Sequence, residues 1–306
     1  MHTDCVQPFL FEHLDIRGAL VSLDKTWRDL AAGRDYPANL TRILGEMSAV
    51  TTLISANLKQ PGRMTFQLRG AGPIELLVLD CDGGNNTELR LRGMARWNPE
   101  NLTQDAALPD LLGDGQLLLT LDAEAMRQPY QSFVPMQGDS IAAIFEHYLT
   151  LSEQQPTRLI LAANARRAVG LLLQKLPEAA LSNSDQHESD QRESGQYDAD
   201  GWNRIQHLAA TLHAEEQLAH TPLDLLHRLF PEEEVRVFTP RPVSHHCPED
   251  WEKIHAMLRS LGREECDAIL RDKGEIHVRD DICNRDYSID AAGLEALFDA
   301  PAHRLH

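Results

Sequence analysis

Along the first 180 residues the spacing of apolar positions changes period several times. Ile43, Leu44, Met47, Val50, Leu53 and Ile54 recur at steps of three and four, the repeat of one helix face. They predict a helix over Leu40–Leu58, and a shorter one is predicted over Lys25–Ala32. The period then falls to two in MTFQLRG, IELLVLD and ELRLRGMARW, predicting strands over Met64–Gly70, Ile74–Asp80 and Glu88–Trp97. Gly70–Pro73 and Gly83–Asn86 punctuate them as turns. Strands over Gln116–Asp122 and Tyr130–Pro135, a helix over Ser140–Ser152, and strands over Arg158–Ala162 and Ala168–Gln174 complete this stretch. Strands in hairpin succession favour a mixed or antiparallel sheet with helices packed on it. The predicted fold class is α+β, with residues 1–180 as an N-terminal core domain.

The pattern breaks at Leu181–Gly201, which is rich in Ser, Asp, Gln and Glu and too poor in apolar groups to order itself. Two amphipathic stretches follow, Trp202–Ala219 and Pro222–Phe230, with Ile205, Leu208, Leu212, Leu223, Leu226 and Leu229 as their apolar positions. Helices this short need a surface to dock on. Residues 181–234 therefore read as a polar linker with helices, and residues 235–306 as a small C-terminal domain. In that domain Asp250–Ser260 and Glu264–Leu270 are predicted helical. KGEIHVRD and RDYSID are predicted strands joined by the Asp280–Arg285 turn. A core so small usually needs a metal or disulfide staple. The alternative is that Trp251, Ile254, Leu258, Ile269, Ile276, Val278 and Tyr287 pack well enough without one.

A net charge of −18 argues against nucleic acid or an anionic membrane as partner, since either calls for a concentrated basic face. One local basic patch, NARRAVG (Asn164–Gly170), stands out. The sequence shows no apolar run long enough to span a bilayer and its first residues lack a signal-peptide pattern, so a cytoplasmic location is expected. The five cysteines, Cys5, Cys81, Cys247, Cys266 and Cys283, are too sparse for a secreted disulfide framework. Cys5, Cys81 and Cys266 read as reduced thiols that act as small hydrophobes.

Cys247 and Cys283 sit in VSHHCPEDWEK and VRDDICNRDYSID, each a turn-like segment beside a short apolar element. Each has the context of half a zinc site, yet carries one thiol where a zinc knuckle has two. Phosphate loops, HExxH and G-x-S-x-G elbows are absent from the sequence. The acidic pairs Asp80/Asp82 and Asp280/Asp281 read as polar turns rather than a hydrolase site.

LFEHLDIRGALVSL, AVTTLISANLKQPGRMTFQLRGAGPIELLV, FVPMQGDSIAAIFEHYLTLSEQQPTRLIL, GLLLQKLP, HRLFPEEEVRVF and LRSLGREECDAILRDKGEIHV through CNRDYSID together resemble the redox-regulated 33 kDa heat-shock chaperone (33 kDa chaperonin) family. The resemblance spans nearly the whole chain. It implies an ATP-independent holdase that binds unfolding proteins, is not an enzyme, and forms a homodimer when active. It also implies a C-terminal zinc site built from a Cys-x-Cys and a Cys-x-x-Cys, whose oxidation to disulfides releases the metal and unmasks apolar surface.

On this chain those motifs fall on Cys247–Pro248–Glu249 and Asp280–Asp281–Ile282–Cys283. Two thiols are retained, and Glu249 and Asp280 stand at the positions of the two missing ones. A zinc ion held by Cys247, Cys283, Glu249 and Asp280 is chemically feasible but weaker than an all-thiolate site. His245, His246 and His277 are alternative ligands, or solvated surface residues. The near-neighbour disulfides of the family have no counterpart here, and the remaining pair is Cys247–Cys283. That bond would lock the small domain rather than melt it. A small domain with weak or no metal is also closer to unfolding in any redox state, which predicts heat-gated or constitutive activity in place of peroxide gating. Two other function classes compete: a thiol oxidoreductase or zinc-dependent enzyme using Cys247 and Cys283, and an adaptor that kept the fold.

Overall fold

The computed structural model describes residues 4–58, 60–83, 87–103, 106–123, 125–177, 198 and 200–299. The chain forms two compact units, one ending at His245 and one beginning at His246. The large unit opens with a hairpin of β1 (Cys5–Phe11) and β2 (Ile16–Leu23), followed by helices α1 (Lys25–Ala31) and α2 (Ala38–Ala56). A meander of β3 (Gly62–Arg69), β4 (Ile74–Asp82) and β5 (Leu89–Trp97) comes next. Helix α3 (Leu108–Leu112), strands β6 (Gln116–Ala123) and β7 (Tyr130–Val134), helix α4 (Ile141–Glu153) and the hairpin β8 (Thr157–Ala163)/β9 (Ala168–Lys175) follow. Three short helices, α5 (Gly201–Ala210), α6 (Ala214–Ala219) and α7 (Pro222–Leu229), lead into β10 (Val235–Val237) and β11 (Arg241–His245).

These strands make one eleven-stranded mixed sheet in the order β7-β6-β3-β4-β5-β11-β1-β2-β9-β8, with β10 paired to the far end of β1. Strand β11 joins its two halves, running antiparallel to β1 and parallel to β5. The α+β class with a mixed sheet agrees with the pattern read from the sequence.

Strand alternation divides β1, β2 and β9 between two cores. Val6, Ala19, Val21, Leu23, Ala168 and Leu172 face α2 and the main core. Phe9, Phe11, Ile16, Leu20, Leu171 and Leu173 face the opposite way and meet α5–α7. Helix α2 is buried over nearly its whole length, polar positions included. Two of its buried hydroxyls find partners on their own helix, Ser48 donating to Leu44 O at 2.8 Å and Thr52 to Ser48 O at 2.7 Å.

Burial on both faces is why β1 and β2 were not predicted. IRGALVSL has no polar side to alternate with, and such strands are invisible to a period-two search. Gly18 serves a close approach: a Cβ there would lie 2.1 Å from the ring of its cross-strand partner Phe9. The expected helix Trp202–Ala219 divides at Thr211–His213, where the chain turns and buries Leu212. Most of the polar stretch Leu181–Gly201 lies outside the described residues. Residues 235–245, grouped with the small domain in the sequence, instead complete the large sheet through β10 and β11.

The small unit contains helices α8 (Trp251–Leu261) and α9 (Arg263–Lys273), the hairpin β12 (Ile276–Asp280)/β13 (Arg285–Ile289), and helix α10 (Ala291–Asp299). Its core is Ile254, Leu258, Cys266, Ile276, Tyr287, Ile289, Leu294 and Leu297, with Ile269 and Val278 at the margin. Helix α10 was not predicted, and it supplies two of those residues. Trp251, expected inside, is 40% exposed and lays its ring edge-on to Tyr287 at 4.9 Å.

Candidate functional site

Two features of the chain carry chemistry, one in each unit. In the large unit it is the apolar face of β1, β2 and β9 beneath α5–α7. Ile205 and Ala209 of α5, Leu212 of the turn after it, Leu225, Leu226 and Leu229 of α7, and Phe230 cover it. The ring of Phe230 meets Phe11 edge-to-face at 5.0 Å. Helices α5 and α7 are amphipathic and the sheet occupies their apolar stripes, whereas α6 buries the polar Gln217.

Helix α7 starts with a defined cap: the Thr221 hydroxyl accepts from Asp224 N at 3.2 Å and donates to the Asp224 carboxylate at 2.7 Å. Ion pairs tie the helices to one another and to the segments flanking them. Arg228 meets Glu216 at 2.9 Å, and Arg204 meets Glu233 at 2.8 Å and Asp198 at 2.6 Å. Exposed pairs of this kind contribute at most about 1 kcal/mol each, so they do not hold the cover down.

Two buried polar side chains do more. Arg167, at the start of β9, turns inward from the patch NARRAVG and is 9% exposed. Its guanidinium donates to Leu218 O and His220 O at the end of α6, and to the Ser22 hydroxyl of β2 at 2.8 Å. Gln217, fully buried, donates to Ile160 O of β8 at 3.0 Å. Burial draws the Arg167 pKa below the ordinary guanidinium value, against the pull of Asp24 and Asp4. The basic patch is thus half surface and half anchor. Its sequence signal is indistinguishable from a solvated pair of arginines, which is why the anchor was missed.

In the small unit the loop before α8 and the β12–β13 turn meet. Cys247 and Cys283, 36 positions apart, are joined by a disulfide with their Cα atoms 5.4 Å apart. Arg285 clamps the same junction, donating to Cys247 O at 3.0 Å and pairing with Glu249 at 3.1 Å. Glu249 also accepts from the Trp251 indole at 3.3 Å. Asp280 accepts from the amides of Ile282 (3.1 Å) and Cys283 (3.2 Å) with one oxygen, and pairs with Lys253 at 3.3 Å with the other. Burial pushes the Asp280 carboxyl up, but the Cys283 amide, Lys253 and the Ile282 amide outweigh it and hold the pKa below the ordinary value. The turn closes through Asn284 in the left-handed region, φ 50°, a conformation asparagine tolerates.

The four candidate metal ligands thus share one junction, but their donor atoms are already engaged. The sulfurs are bonded to each other, Glu249 faces Arg285, and Asp280 faces two amides and Lys253. The three histidines do not complete a shell. His245 lies in β11 of the large unit opposite Leu91, His246 is exposed, and His277 is occupied by Ser288 at 2.9 Å and Glu275 at 2.9 Å. Among the described residues no group of three or more His, Cys, Asp or Glu side chains is arranged to hold a metal ion. With the two sulfurs joined and both carboxylates paired, this donor set does not fit zinc in the disulfide-bonded state.

The other cysteines are free. Burial pushes the Cys81 thiol up to about 12, and burial raises Cys266 and Cys5 as well. Among the described residues no helix is long and apolar enough to cross a membrane.

Comparison with known proteins places the chain. The Hsp33 protein family matches residues 4–290. A 33 kDa chaperonin of Chromobacterium violaceum is 38% identical over 300 residues, covering 97% of this chain and 95% of that one. One from Nitrosococcus oceani is 39% identical over 295 residues, covering 96% and 94%. The crystal structure of a 33 kDa chaperonin from Thermotoga maritima superposes with a TM-score of 0.75 over 97% of this chain and 98% of that one. At 21% identity it speaks for the fold.

Proposed function

The chain belongs to the Hsp33 family of non-enzymatic chaperones, and from that premise we propose that it is an ATP-independent holdase whose client surface is the apolar face of β1, β2 and β9. As a chaperone its partners are unfolding proteins. One observation carries the location of the surface: Phe9, Phe11, Ile16, Leu20, Leu171 and Leu173 form a contiguous apolar sheet face covered, among the described residues, by three short helices and the turns that follow them. Contiguous apolar patches of this kind mark interaction sites when exposed. Helices of six to ten residues are marginal without the surface they dock on, so they are the least expensive part of the large unit to displace.

In the closed form the face is hidden and the protein is idle. Displacing α5–α7 exposes rigid apolar strands to a client. Heat is the trigger this arrangement favours. The cover has few polar anchors, and unfolding it gains the conformational entropy of roughly thirty residues. The thiol oxidoreductase alternative loses its basis, since the one cysteine pair lacks the Cys-x-x-Cys arrangement that tunes a catalytic thiol.

The test is light scattering from a thermally unfolding client, with and without the protein, combined with photo-crosslinking from a probe amino acid at Leu20 or Leu171. Suppression of aggregation with client crosslinked at these positions is the expected result. Suppression with crosslinks confined to other surfaces refutes the location.

A further inference from the structure

We propose that the small unit is a metal-independent fold in which the Cys247–Cys283 disulfide and the pairs Lys253–Asp280 and Arg285–Glu249 together do the joining, so that oxidation tightens this unit and reduction loosens it. The inference deepens the holdase reading by naming the regulation of the same chain, and it rests on that reading only for its biological meaning.

Charge comes first. A divalent cation is stabilised by ligands whose negative charge is unspent. Here Glu249 and Asp280 already face Arg285 and Lys253 at 3.1 and 3.3 Å. A metal ion inserted between them would meet two like charges at close range and would have to strip Asp280 from the Ile282 and Cys283 amides that shape the turn. Arg285 and Lys253 thus neutralise the two carboxylates, and each exposed pair adds at most about 1 kcal/mol to the junction. Arg285 also reaches the backbone of the opposing loop through Cys247 O, a tie independent of the sulfur oxidation state. So is the bond from Asp250 N to the Tyr287 hydroxyl at 3.1 Å.

Connectivity gives the direction of the effect. The segment between Cys247 and Cys283 contains α8, α9 and β12, most of the unit. When the disulfide forms, the thiols of Cys247 and Cys283 give two protons and two electrons to hydrogen peroxide; the S–S bond forms, the O–O bond breaks, and two molecules of water leave. The unfolded segment then becomes a closed loop with fewer conformations, while the folded unit already holds the two sulfurs together. Reduction by a dithiol reverses both steps and returns that freedom. A core of eight buried residues is small enough for this difference to decide how often the unit opens.

Hydrogen exchange on the full-length protein, followed by mass spectrometry, tests this in four samples: peroxide-oxidised, dithiol-reduced, reduced with added zinc, and reduced with a chelator. For peptides within 251–289 the chain-entropy estimate for this loop predicts about 500-fold faster exchange on reduction. Zinc and chelator are expected to change nothing, and Cys247→Ser/Cys283→Ser is expected to exchange at the reduced rate under every condition. Arg285→Ala is expected to speed exchange in both redox states. The proposal is overturned if oxidation accelerates exchange, or if the reduced protein takes up one equivalent of zinc and gains protection from it. Client light scattering on the same samples keeps the readings apart. Failure to suppress aggregation in any sample sinks the holdase reading and leaves the exchange result standing.

Discussion

Replacing Arg167 by alanine is expected to open the cover without melting the sheet. In the closed form its guanidinium serves two carbonyls on the cover, Leu218 O and His220 O, and one hydroxyl on the sheet, Ser22. Hydrogen bonds to a charged group contribute about 1.5–3 kcal/mol each when well aligned. The contacts to His220 O are long at 3.4 Å, so the set is worth about 3 kcal/mol rather than the full sum. When the cover lifts, both carbonyls reach water and need no partner. The loss therefore falls on the closed state alone and raises the open population about 100-fold. Two assays read this: amide exchange across 201–230 compared with 16–23, and suppression of client aggregation at a temperature where the parent is idle. Faster exchange confined to α5–α7, with activity at the lower temperature, is the expected result. Equal acceleration in β2 and α5–α7 would refute the reasoning, because Arg167 would then be an ordinary core residue. Ser22→Ala, which removes only the sheet-side contact, is expected to leave the cover closed.

Three further outcomes follow from the same packing. Phe230→Ala removes a ring that is 2% exposed against Phe11. At about 3–5 kcal/mol for a buried Phe truncation, it is expected to make the protein bind an apolar dye at ambient temperature. Gly18→Ala places a methyl 2.1 Å from the Phe9 ring; it is expected to cost about 1–3 kcal/mol of overpacking strain and lower the melting temperature of the large unit, read by calorimetry. Native alkylation of the reduced protein at pH 8 is expected to modify Cys247 and Cys283 and to spare Cys81 and Cys266. Burial raises the pKa of both buried thiols, Cys81 to about 12. Thiolate is the reactive form, so labelling of Cys81 requires either a pH near that value or an opened core. Rapid modification of Cys81 at pH 8 would contradict its placement.

Much of this fold was legible because most strands of the large unit obey simple alternation. In Met64–Gly70 the inward and outward residues differ in polarity, and the predicted strand falls within a few residues of the observed one. Where both faces are buried the signal vanishes, as in β2. Strands β10 and β11 are three and five residues long and find their partners in β1 and β5, far away in sequence, so local pattern could not assign them to the large sheet. At the thiol site the sequence placed Cys247, Cys283, Glu249 and Asp280 together through the family's motif spacing. What it could not reveal was the counter-charge. Lys253 and Arg285 read as ordinary surface residues until the turn brings them onto the carboxylates. Arg167 escaped notice for the same reason in reverse, since burial of a guanidinium depends on carbonyls that another segment supplies.

The return of Val235–His245 to the large sheet has a mechanical consequence. The covering helices are fastened at both ends to the strands they cover, at β9 before them and at β10 after. They form a strap rather than a loose tail. Lifting it does not release it, so reclosure is an intramolecular event at an effective concentration in the millimolar range for short tethers. A client on the sheet competes against an occupant that never diffuses away, which sets a floor on how tightly it must bind and gives the protein a built-in means of letting go.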